Sequence, residues 1–390
     1  MENHQIELNQ FENNLLTVSP PPHIKSSVTT RTIMLDVAAA LTPALLWAVY
    51  LFGFRALTIT VISVLACVLF EALFRVIMKR PQTVLDFSAV VTGMLLAYNL
   101  PATVSLWIPV VGAFFAIIVV KQLFGGIGMN IMNPALAARV FLFSWPAQMT
   151  VYPNPSVQLP VFSLSVNMPD MIASATPLTV LKQGNSPESV SILDLILGNC
   201  PGVIGEVSAF ILTGGAVYLL VKKIITWHIP AAYIGTVAVL SYVLKPTASS
   251  AIDYMLYQIF SGGLFLGAIF MATDYTTSPV TKKGRLIYGF GCGLITFIIR
   301  RYSGYAGGVS FAILIMNCFV WYIDSYTKPT VFGYTKPETP KPQPPVPKPA
   351  PITEPSVTAA DAKIESTESK ESTDPTDHDD ADKEKTQNDG

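Results

Sequence analysis

Charged residues are scarce in this chain. Asp, Glu, Lys and Arg make up 13% of its 390 residues, whereas they make up roughly 25% of a typical soluble domain. Hydrophobic residues account for 51%. This composition argues against a soluble globular domain and gives no basis for a nucleic-acid partner. It predicts an all-α integral membrane protein in contact with the lipid bilayer.

Cysteine is also rare. The four cysteines are Cys67, Cys200, Cys292 and Cys318. None of them forms a Cys-x-x-Cys pair, and three lie in apolar stretches. Such cysteines are typical of small buried hydrophobic side chains. We therefore expect no iron–sulfur, zinc or other metal site within this chain.

Apolar runs predict the membrane-spanning helices, each of which needs about 20 residues. We predict about ten spans. They lie at residues 33–54, 56–78, 84–100, 105–121, 134–147, 204–224, 229–245, 254–273, 285–300 and 306–324. The segment before the first span is polar, which is unlike a signal peptide, so the first span is expected to stay in the membrane.

The two halves of the chain are similar in pattern. Five spans precede a long loop and five follow it, which predicts an inverted 5+5 repeat because each half crosses the membrane an odd number of times. The third span of each half contains a glycine with small neighbours, Gly93 and Gly267. A glycine-rich link precedes each fifth span, at 125–128 and 304–308. Glycine lets helices approach closely or unwind, although it is also simply common in membrane helices.

Basic residues predict the orientation. One side of the predicted topology holds about twelve loop Lys and Arg residues and the other about five, so the first side is cytoplasmic. The five on the other side are Arg55, Lys182, Lys245, Arg300 and Arg301. Both chain termini are then expected in the cytoplasm.

The predicted organisation has five segments. They are a cytoplasmic N-terminal segment (1–32), a first membrane half (33–147), an external loop (148–203), a second membrane half (204–333) and a tail (334–390). The tail is first rich in proline and lysine and then acidic. We expect it to be disordered, because it has too little apolar surface to offset the entropy of ordering.

Polar groups near the spans are candidates for function, because burying them in a membrane is costly. Asp274 ends a span and begins a run of hydroxyl residues that includes Thr277 and Ser278. This run is either a cofactor or cation site near the cytoplasmic face or a polar helix end. Further ionisable residues in or near spans are Asp36, Glu71, Asp86, Arg139 and Asp253.

A second candidate precedes the fifth span. Gly125 and Gly126 are followed by Asn130 and then by Asn133, which stands directly before a proline. Asn followed by Pro predicts a helix N-cap and first helical residue. The helix N-terminus would offer N–H groups to an anionic or carbonyl-bearing ligand. Alternatively, this segment is a re-entrant loop that only packs.

The third candidate is in the long loop, at residues 170–179. Thr176 stands before Pro177, which favours an extended backbone that presents the hydroxyl outward. This stretch resembles the site at which a bacterial flavin transferase joins FMN to threonine through a phosphoester. The match keeps Asp170, Ala175, Thr176 and Thr179, and has Ala173 and Ser174 where Ser or Thr and then Gly are usual.

Other stretches resemble one family of membrane proteins. It includes RnfD of the bacterial Rnf electron-transport complex and NqrB of the sodium-pumping NADH:quinone reductase. The stretches lie at 19–23, 32–44, 130–143, 271–279, 307–317 and 324–333. The sequence after Ala175 and the ending at Val331–Gly333 are more similar to RnfD.

The resemblance implies a fold and a role. It implies an inverted repeat similar to that of urea transporters, and a flavin-carrying subunit of a complex that passes electrons between ferredoxin and NAD, coupled to Na⁺ or H⁺ translocation. The implied location is the bacterial inner membrane, and the implied partners are the other Rnf subunits and a flavin transferase.

The resemblance also implies cofactors. FMN would be attached covalently to Thr176 on the external side, with Asp170, Ser174 and Thr179 as recognition or contact residues. A non-covalent riboflavin would also be associated with the chain. Candidates for its site or for an ion path are Gly125, Gly126, Asn130, Asn133, Asp274, Thr277 and Ser278. The alternatives are NqrB of the quinone reductase and a non-redox solute channel of the same fold.

The tail gives a first prediction. Deleting the chain after Gly333 should leave the flavin content per protein unchanged, because the resemblance ends there and we assign the tail no cofactor contact. Flavin absorbance of the purified truncated protein measures this. A large loss of flavin would show that the tail is structural.

Overall fold

The computed structural model describes residues 28–155, 160–162, 176–182, 190–206, 208–246, 250–305 and 307–329, all within one compact unit. Regular structure within these ranges is entirely helical. The α-helices are α1 Thr30–Phe52, α2 Phe54–Ile77, α3 Ser88–Tyr98, α4 Trp107–Phe114, α5 Pro134–Leu142, α6 Pro146–Met149, α7 Pro177–Lys182, α8 Ile192–Leu197, α9 Ala209–Val221, α10 His228–Val243, α11 Ala251–Phe260, α12 Leu264–Leu266, α13 Lys282–Tyr302 and α14 Val309–Thr327. Two π-helical stretches, Phe115–Gln122 and Gly267–Met271, continue α4 and α12.

Several of these helices have the apolar composition of membrane-spanning segments. Among the described residues, α1, α2 and α14 are each long and apolar enough to cross one. The pair formed by α11 and α12 with its π-helical continuation reaches that length together, but it is bent by 60° at its break. Helices α3, α4 with its continuation, α9 and α10 are apolar but shorter. The predicted all-helical class is confirmed, whereas the ten spans and the inverted repeat stay predictions.

Two predicted spans are shorter as helices than the sequence indicated. In the segment predicted at 84–100, α3 begins only after Phe87, whose positive φ of 59° interrupts the helix. The helix ends shortly before Pro101, whose ring disfavours helical backbone at the residue before it. The segment predicted at 134–147 is divided into α5 and α6 just before Pro146.

The predicted span at 254–273 is broken in the middle. Gly262 and Gly263 have φ of 74° and 65°, a conformation that favours glycine. Arg300 on α13 donates to the backbone oxygens of Gln258 and Ser261, at 2.5 and 2.9 Å. A bilayer offers no water to such carbonyls, so the buried guanidinium is what satisfies this non-helical backbone.

Arg55 has a similar role after α3. Its side chain is fully buried and donates to the backbone oxygens of Ala102, Val104 and Pro160, at 2.9, 2.8 and 2.8 Å. Arg55 and Arg300 thus act as internal donors to irregular backbone. Neither is a solvated loop charge of the kind that the sequence analysis counted for orientation.

The glycines selected from the sequence permit close helix contacts, as predicted. A Cβ added at Gly93 on α3 would lie 2.6 Å from Val64 Cα on α2. A Cβ added at Gly267 would collide with the side chain of Val309 on α14. Each glycine therefore sets the distance between two packed segments.

A buried ion pair joins α2 to the π-helical stretch after α4. Lys121 Nζ lies 2.9 Å from Glu71 Oε2 and donates to Ser88 Oγ at 2.7 Å. Thr83 Oγ1 donates to the other Glu71 oxygen at 2.8 Å. Glu71 is 1% exposed and Lys121 3% exposed. Arg75 Nε lies 4.0 Å from the other Glu71 oxygen, so Lys121 is the closer of two buried cations beside this carboxylate.

This pair gives a stability prediction. Lys121→Met should destabilise the protein by about 3 kcal/mol, because it removes the cation that is hydrogen-bonded to the buried Glu71 carboxylate and leaves Arg75, 4.0 Å away, as its partner. The measurement is the midpoint of thermal denaturation in detergent. The double variant Glu71→Gln with Lys121→Met should be milder, because the buried carboxylate is gone and Arg75 keeps its hydrogen bond to the Pro81 backbone oxygen.

The matched control is the surface pair formed by Lys222 and Asp36. Their charged atoms lie 3.6 Å apart, and the Lys222 side chain is 51% exposed. Lys222→Met should cost about 1 kcal/mol or less. Equal losses for Lys121→Met and Lys222→Met would contradict a structural role for the buried pair.

Candidate functional site

Thr176 is the residue before the short helix α7. Thr179 N–H donates to Thr176 Oγ1 at 3.3 Å, and Thr179 Oγ1 donates to Thr176 O at 2.6 Å. Pro177 occupies the first helical position, where its missing N–H costs nothing. The Thr-Pro-x-Thr sequence therefore makes Thr176 an N-cap residue with its hydroxyl held against the helix end.

Helix α7 is fixed to the rest of the molecule. Leu178 and Leu181 are buried at 4% and 5% exposure. Lys182 Nζ donates to the backbone oxygens of Ser303 and Tyr305, ahead of α14. The position of the Thr176 hydroxyl is thus set by packing and by a tether at the opposite end of its helix.

The half-buried Thr176 lines a cavity of about 230 Å³, which we call the Thr176 cavity. Its walls come from α5, from Thr176 and the start of α7, from the described residues before α9, from the break between α11 and α12, and from residues ahead of α14. Members include Arg139, Phe143, Tyr152, Thr179, Cys200, Gly205, Glu206, Gly262, Phe265 and Tyr305. Aromatic and apolar walls with a few polar groups are typical of cofactor sites.

Arg139 is held in place within this cavity. Its Nη1 donates to Asn99 Oδ1 at 2.7 Å, and its guanidinium lies over the Phe143 ring, 5.9 Å from the ring centroid. Its Nε is buried and has no hydrogen-bond partner among the described residues. The Arg139 guanidinium is thus held by Asn99 at Nη1, whereas its Nε has no hydrogen-bond partner among the described residues.

A second cavity, of about 90 Å³, lies around Asn133, and we call it the Asn133 cavity. Asn130 Nδ2 donates to Thr276 Oγ1 at 3.0 Å, and Thr276 Oγ1 donates to Asp274 Oδ2 at 3.2 Å. Thr277 is buried and donates to the same Asp274 oxygen at 3.4 Å. Lining members include Ser88, Lys121, Asn130, Asn133, Phe270, Asp274, Tyr275 and Thr276.

Asp274 is a carboxyl in largely buried surroundings. Burial raises the pKa of Asp274 above its ordinary value, while hydrogen bonds from Thr276 and Thr277 and the charge of Lys121 lower it. The Asp274 carboxyl thus faces hydroxyl donors from the residues that directly follow it.

The first N–H groups of α5 already have a hydrogen-bond partner in the Asn133 side chain. Asn133 Oδ1 accepts from the N–H groups of Ala135 and Leu136, at 3.1 and 3.3 Å. The N-cap prediction is confirmed, but these N–H groups are not free for a ligand as the sequence had suggested. The polar groups that this segment presents to the cavity are its asparagine side chains.

The structure brings together most of the residues that the sequence selected. Thr176 and Thr179 share the first cavity, and Asn130, Asn133 and Asp274 share the second. Thr277 contacts Asp274 without lining the cavity, and Gly125, Gly126 and Ser278 also stand outside its wall. Asp170 and Ser174 lie outside the described residues.

The two cavities share the helix α5 as a wall. Asn133 at its start faces one cavity and Arg139, further along, faces the other. Met271 connects them, because it accepts from Asn133 through its backbone oxygen at 3.3 Å and from Asn99 through its sulfur at 3.6 Å. Hydrogen-bonded contacts therefore run from one cavity wall to the other.

Sequence reasoning missed Asn99, Glu206 and Met271 as site residues. Glu206 carried a usable signal, since it is an acidic residue within the predicted span 204–224, and such residues usually face the interior. Asn99 and Met271 carried none, because their roles depend on contacts with residues far away in the chain.

The fold and cavities define the class as a helical membrane protein with two internal polar sites. The matching family model narrows this: the chain belongs to the NQR2, RnfD, RnfE family, which matches residues 17–333. The resemblance inferred from the sequence motifs is thereby confirmed.

Similar proteins carry consistent names, each designating component D of a complex. Component D of the "Na(+)-translocating ferredoxin:NAD(+) oxidoreductase complex" of Acetobacterium woodii is 47% identical to this chain over 324 residues, which cover 82% of this chain and 96% of that protein. Component D of the "Proton-translocating ferredoxin:NAD(+) oxidoreductase complex" of Clostridium ljungdahlii is 37% identical, over 83% of this chain and 98% of that protein. Component D of the "Ion-translocating oxidoreductase complex" of Halorhodospira halophila is 35% identical, over 81% of this chain and 95% of that protein.

The cap at α5 gives a prediction for this region. Asn133→Ala should destabilise the protein by about 0.5–2 kcal/mol from the lost cap, with a further loss from the bond to Met271. Asn133→Ser should recover part of this, because serine caps well but cannot reach Met271. Thermal denaturation in detergent gives the order wild type, serine variant, alanine variant. Equal stability of the two variants would contradict the capping role.

Proposed function

We propose that this chain is the RnfD component of an ion-translocating, membrane-bound ferredoxin:NAD⁺ oxidoreductase complex of the Rnf type. The similarity to proteins that are component D of such complexes supports this, because it extends over about four fifths of the chain and nearly all of each relative. The other subunits of the complex and the lipid bilayer are its partners. The membrane is the inner membrane of a bacterium.

We propose that Thr176 carries FMN through a phosphoester. Support comes from the cavity beside its hydroxyl, whose walls are mainly apolar and aromatic but include the charged residues Arg139 and Glu206. A planar ring system with carbonyl oxygens fits such walls. Thr179 would be a contact residue beside the attachment point, and Asp170 and Ser174 would serve recognition by a flavin transferase.

The proposed role of the chain is to hold and orient this group. Thr176 fixes one end, while helix α7 and its tether through Lys182 set the direction in which the attachment point faces. A bound flavin supplies one- and two-electron transfer, and the protein supplies its position and electrostatic environment. The apolar walls exclude water from the ring.

We propose that a second, non-covalent flavin, riboflavin, or an ion path uses the Asn133 cavity. Support comes from the side-chain amides of Asn130 and Asn133 and the carboxyl of Asp274, which offer donors and acceptors together. The cavity of about 90 Å³ is much smaller than the Thr176 cavity. A flavin there would require its walls to move apart, whereas water or an ion would not.

For the membrane arrangement we propose ten spans in an inverted 5+5 repeat, with both termini cytoplasmic and the Thr176 loop external. The paired glycine contacts at Gly93 and Gly267 support the repeat. The internal bonding of Arg55 and Arg300 supports the orientation, because it accounts for two basic residues on the external side.

Two other functions are less well supported. NqrB of the sodium-pumping NADH:quinone reductase is the counterpart within the same family, but the three relatives described above are all component D of their complexes. A non-redox solute channel would share the fold, since sites rather than folds determine function. Neither alternative gains support from a specific residue of the described cavities.

The deciding experiment tests for covalent flavin at Thr176. The protein is produced with an active flavin transferase, denatured and separated on a gel, where flavin fluorescence should stay with the band. Thr176→Ala should abolish this signal, and intact mass should fall by one phosphoester-linked FMN in addition to the substitution.

The control is Thr150→Ala. Thr150 lines the same cavity, but its hydroxyl donates to the backbone oxygen of Pro146. This variant should keep its fluorescence. Persistent signal in Thr176→Ala would indicate another acceptor, and absence of signal in the wild-type protein would refute the flavin proposal.

A further inference from the structure

The Thr176 cavity contains an acidic residue, Glu206, that has no side-chain partner. No side chain of the described residues forms a hydrogen bond or an ion pair with its carboxyl, and the backbone of Val203 is the hydrogen-bonding group beside it. Glycines make room for it: a Cβ at Gly202 would collide with the Glu206 carboxyl, and one at Gly263 would lie 3.5 Å from it. The backbone is thus shaped to accommodate this carboxyl beside the cavity.

Arg139 offers the complementary group. Its Nε–H is buried without a partner among the described residues, while its Nη1 is occupied by Asn99. Leaving a buried donor without a partner is unfavourable, and more so when the donor is charged. A carboxylate has about four lone-pair sites, so Glu206 keeps acceptor capacity beyond its backbone contact. The two groups in one cavity point to a ligand that accepts from the guanidinium and donates to the carboxyl.

We propose that Arg139 and Glu206 bind the pyrimidine edge of the flavin ring. This inference rests on the proposed attachment of FMN at Thr176. The edge of an isoalloxazine presents two carbonyl oxygens with an N–H between them. The Arg139 guanidinium donates to a carbonyl oxygen of this edge, and the Glu206 carboxylate accepts from the N–H.

The ring edge fits these residues better than the phosphate does. A phosphate beside Arg139 would also lie in the cavity of the Glu206 carboxylate, and like charges placed together are unfavourable. The phosphate is also placed at Thr176 by the covalent bond.

The other charged and titratable groups near Glu206 do not replace this contact. Arg300 acts on Glu206 through its charge, but its Nη donors are engaged by the carbonyl oxygens at the α11–α12 break. Tyr152 and Cys200 line the same cavity, and neither carries a charge at neutral pH. Arg300 Nε is likewise buried without a partner among the described residues, but Arg300 does not line the cavity. Among the lining residues, Arg139 is thus the cation that can donate to a ligand.

Arg139 and Glu206 should shift the reduction potential of the flavin in opposite directions. Reduction adds electron density to the ring, which the Arg139 cation stabilises and the Glu206 carboxylate opposes. Arg139→Gln should therefore lower the midpoint potential, and Glu206→Gln should raise it. Each shift should be at least about 30 mV, which for a two-electron couple is tenfold in the ratio of reduced to oxidised flavin.

The test is a spectroelectrochemical titration of the purified complex. Subtracting the titration of the Thr176→Ala complex isolates the flavin on this residue from any other. Covalent flavin per chain is measured alongside by denaturing-gel fluorescence and should stay at the wild-type level in both variants. Arg139→Lys keeps the charge but not the donor geometry, and should give a smaller shift than Arg139→Gln.

Controls are Arg301→Gln and Asp253→Asn, which remove an exposed cation and an exposed anion. Both should leave the potential unchanged. Full flavin content with an unshifted potential in Arg139→Gln and Glu206→Gln would overturn the inference while leaving the proposed function intact. If Arg139→Gln fails to accumulate, Arg139→Lys and Glu206→Gln decide the question. A wild-type protein without covalent flavin would instead refute the proposed function itself.

Discussion

Irregular backbone inside an apolar bundle needs internal hydrogen-bond donors, and this constraint underlies the whole structure. Without water, each unpaired carbonyl costs several kcal/mol. Arg55 supplies donors after α3, and Arg300 supplies them at the α11–α12 break. The second of these matters for the site, because Gly262 at this break lines the Thr176 cavity. The cavity exists because α11 stops early, and α11 can stop early because Arg300 satisfies the exposed carbonyls.

Helix α5 makes the two cavities parts of one arrangement. Asn133 and Arg139 are six residues apart, or about 9 Å along a helix axis. The helix is capped at its start by Asn133 and is bound near its end by Arg139 to Asn99. A movement of this short rigid element at one cavity therefore changes the wall of the other. The two proposed redox or ion sites are thus separated by one nine-residue helix.

Local chemistry was predictable from the sequence, and distant contacts were not. The Asn133 cap follows from Asn before Pro, and the tight contacts at Gly93 and Gly267 follow from glycine among small residues. The role of Arg300 depends on carbonyls 42 residues away in the chain, so the charge pattern classed it as an external loop residue. Glu206 was overlooked although an acid in an apolar span is informative. Gly125 and Gly126 have positive φ values and stand outside the wall of the Asn133 cavity, so their proposed part in a site stays a prediction.

Thr176 has two tasks that are compatible. Its oxygen caps α7 by accepting from Thr179 N–H, and the proposed phosphoester forms on the same oxygen. Esterification removes the hydroxyl hydrogen but leaves an oxygen that can still accept, so the cap need not be lost. Pro177 brings no N–H that would compete for this oxygen. Since α7 is anchored through Leu178, Leu181 and Lys182, the direction of the tether is set by the protein before any cofactor is attached. A flexible loop carrying the same threonine would leave that direction to the flavin.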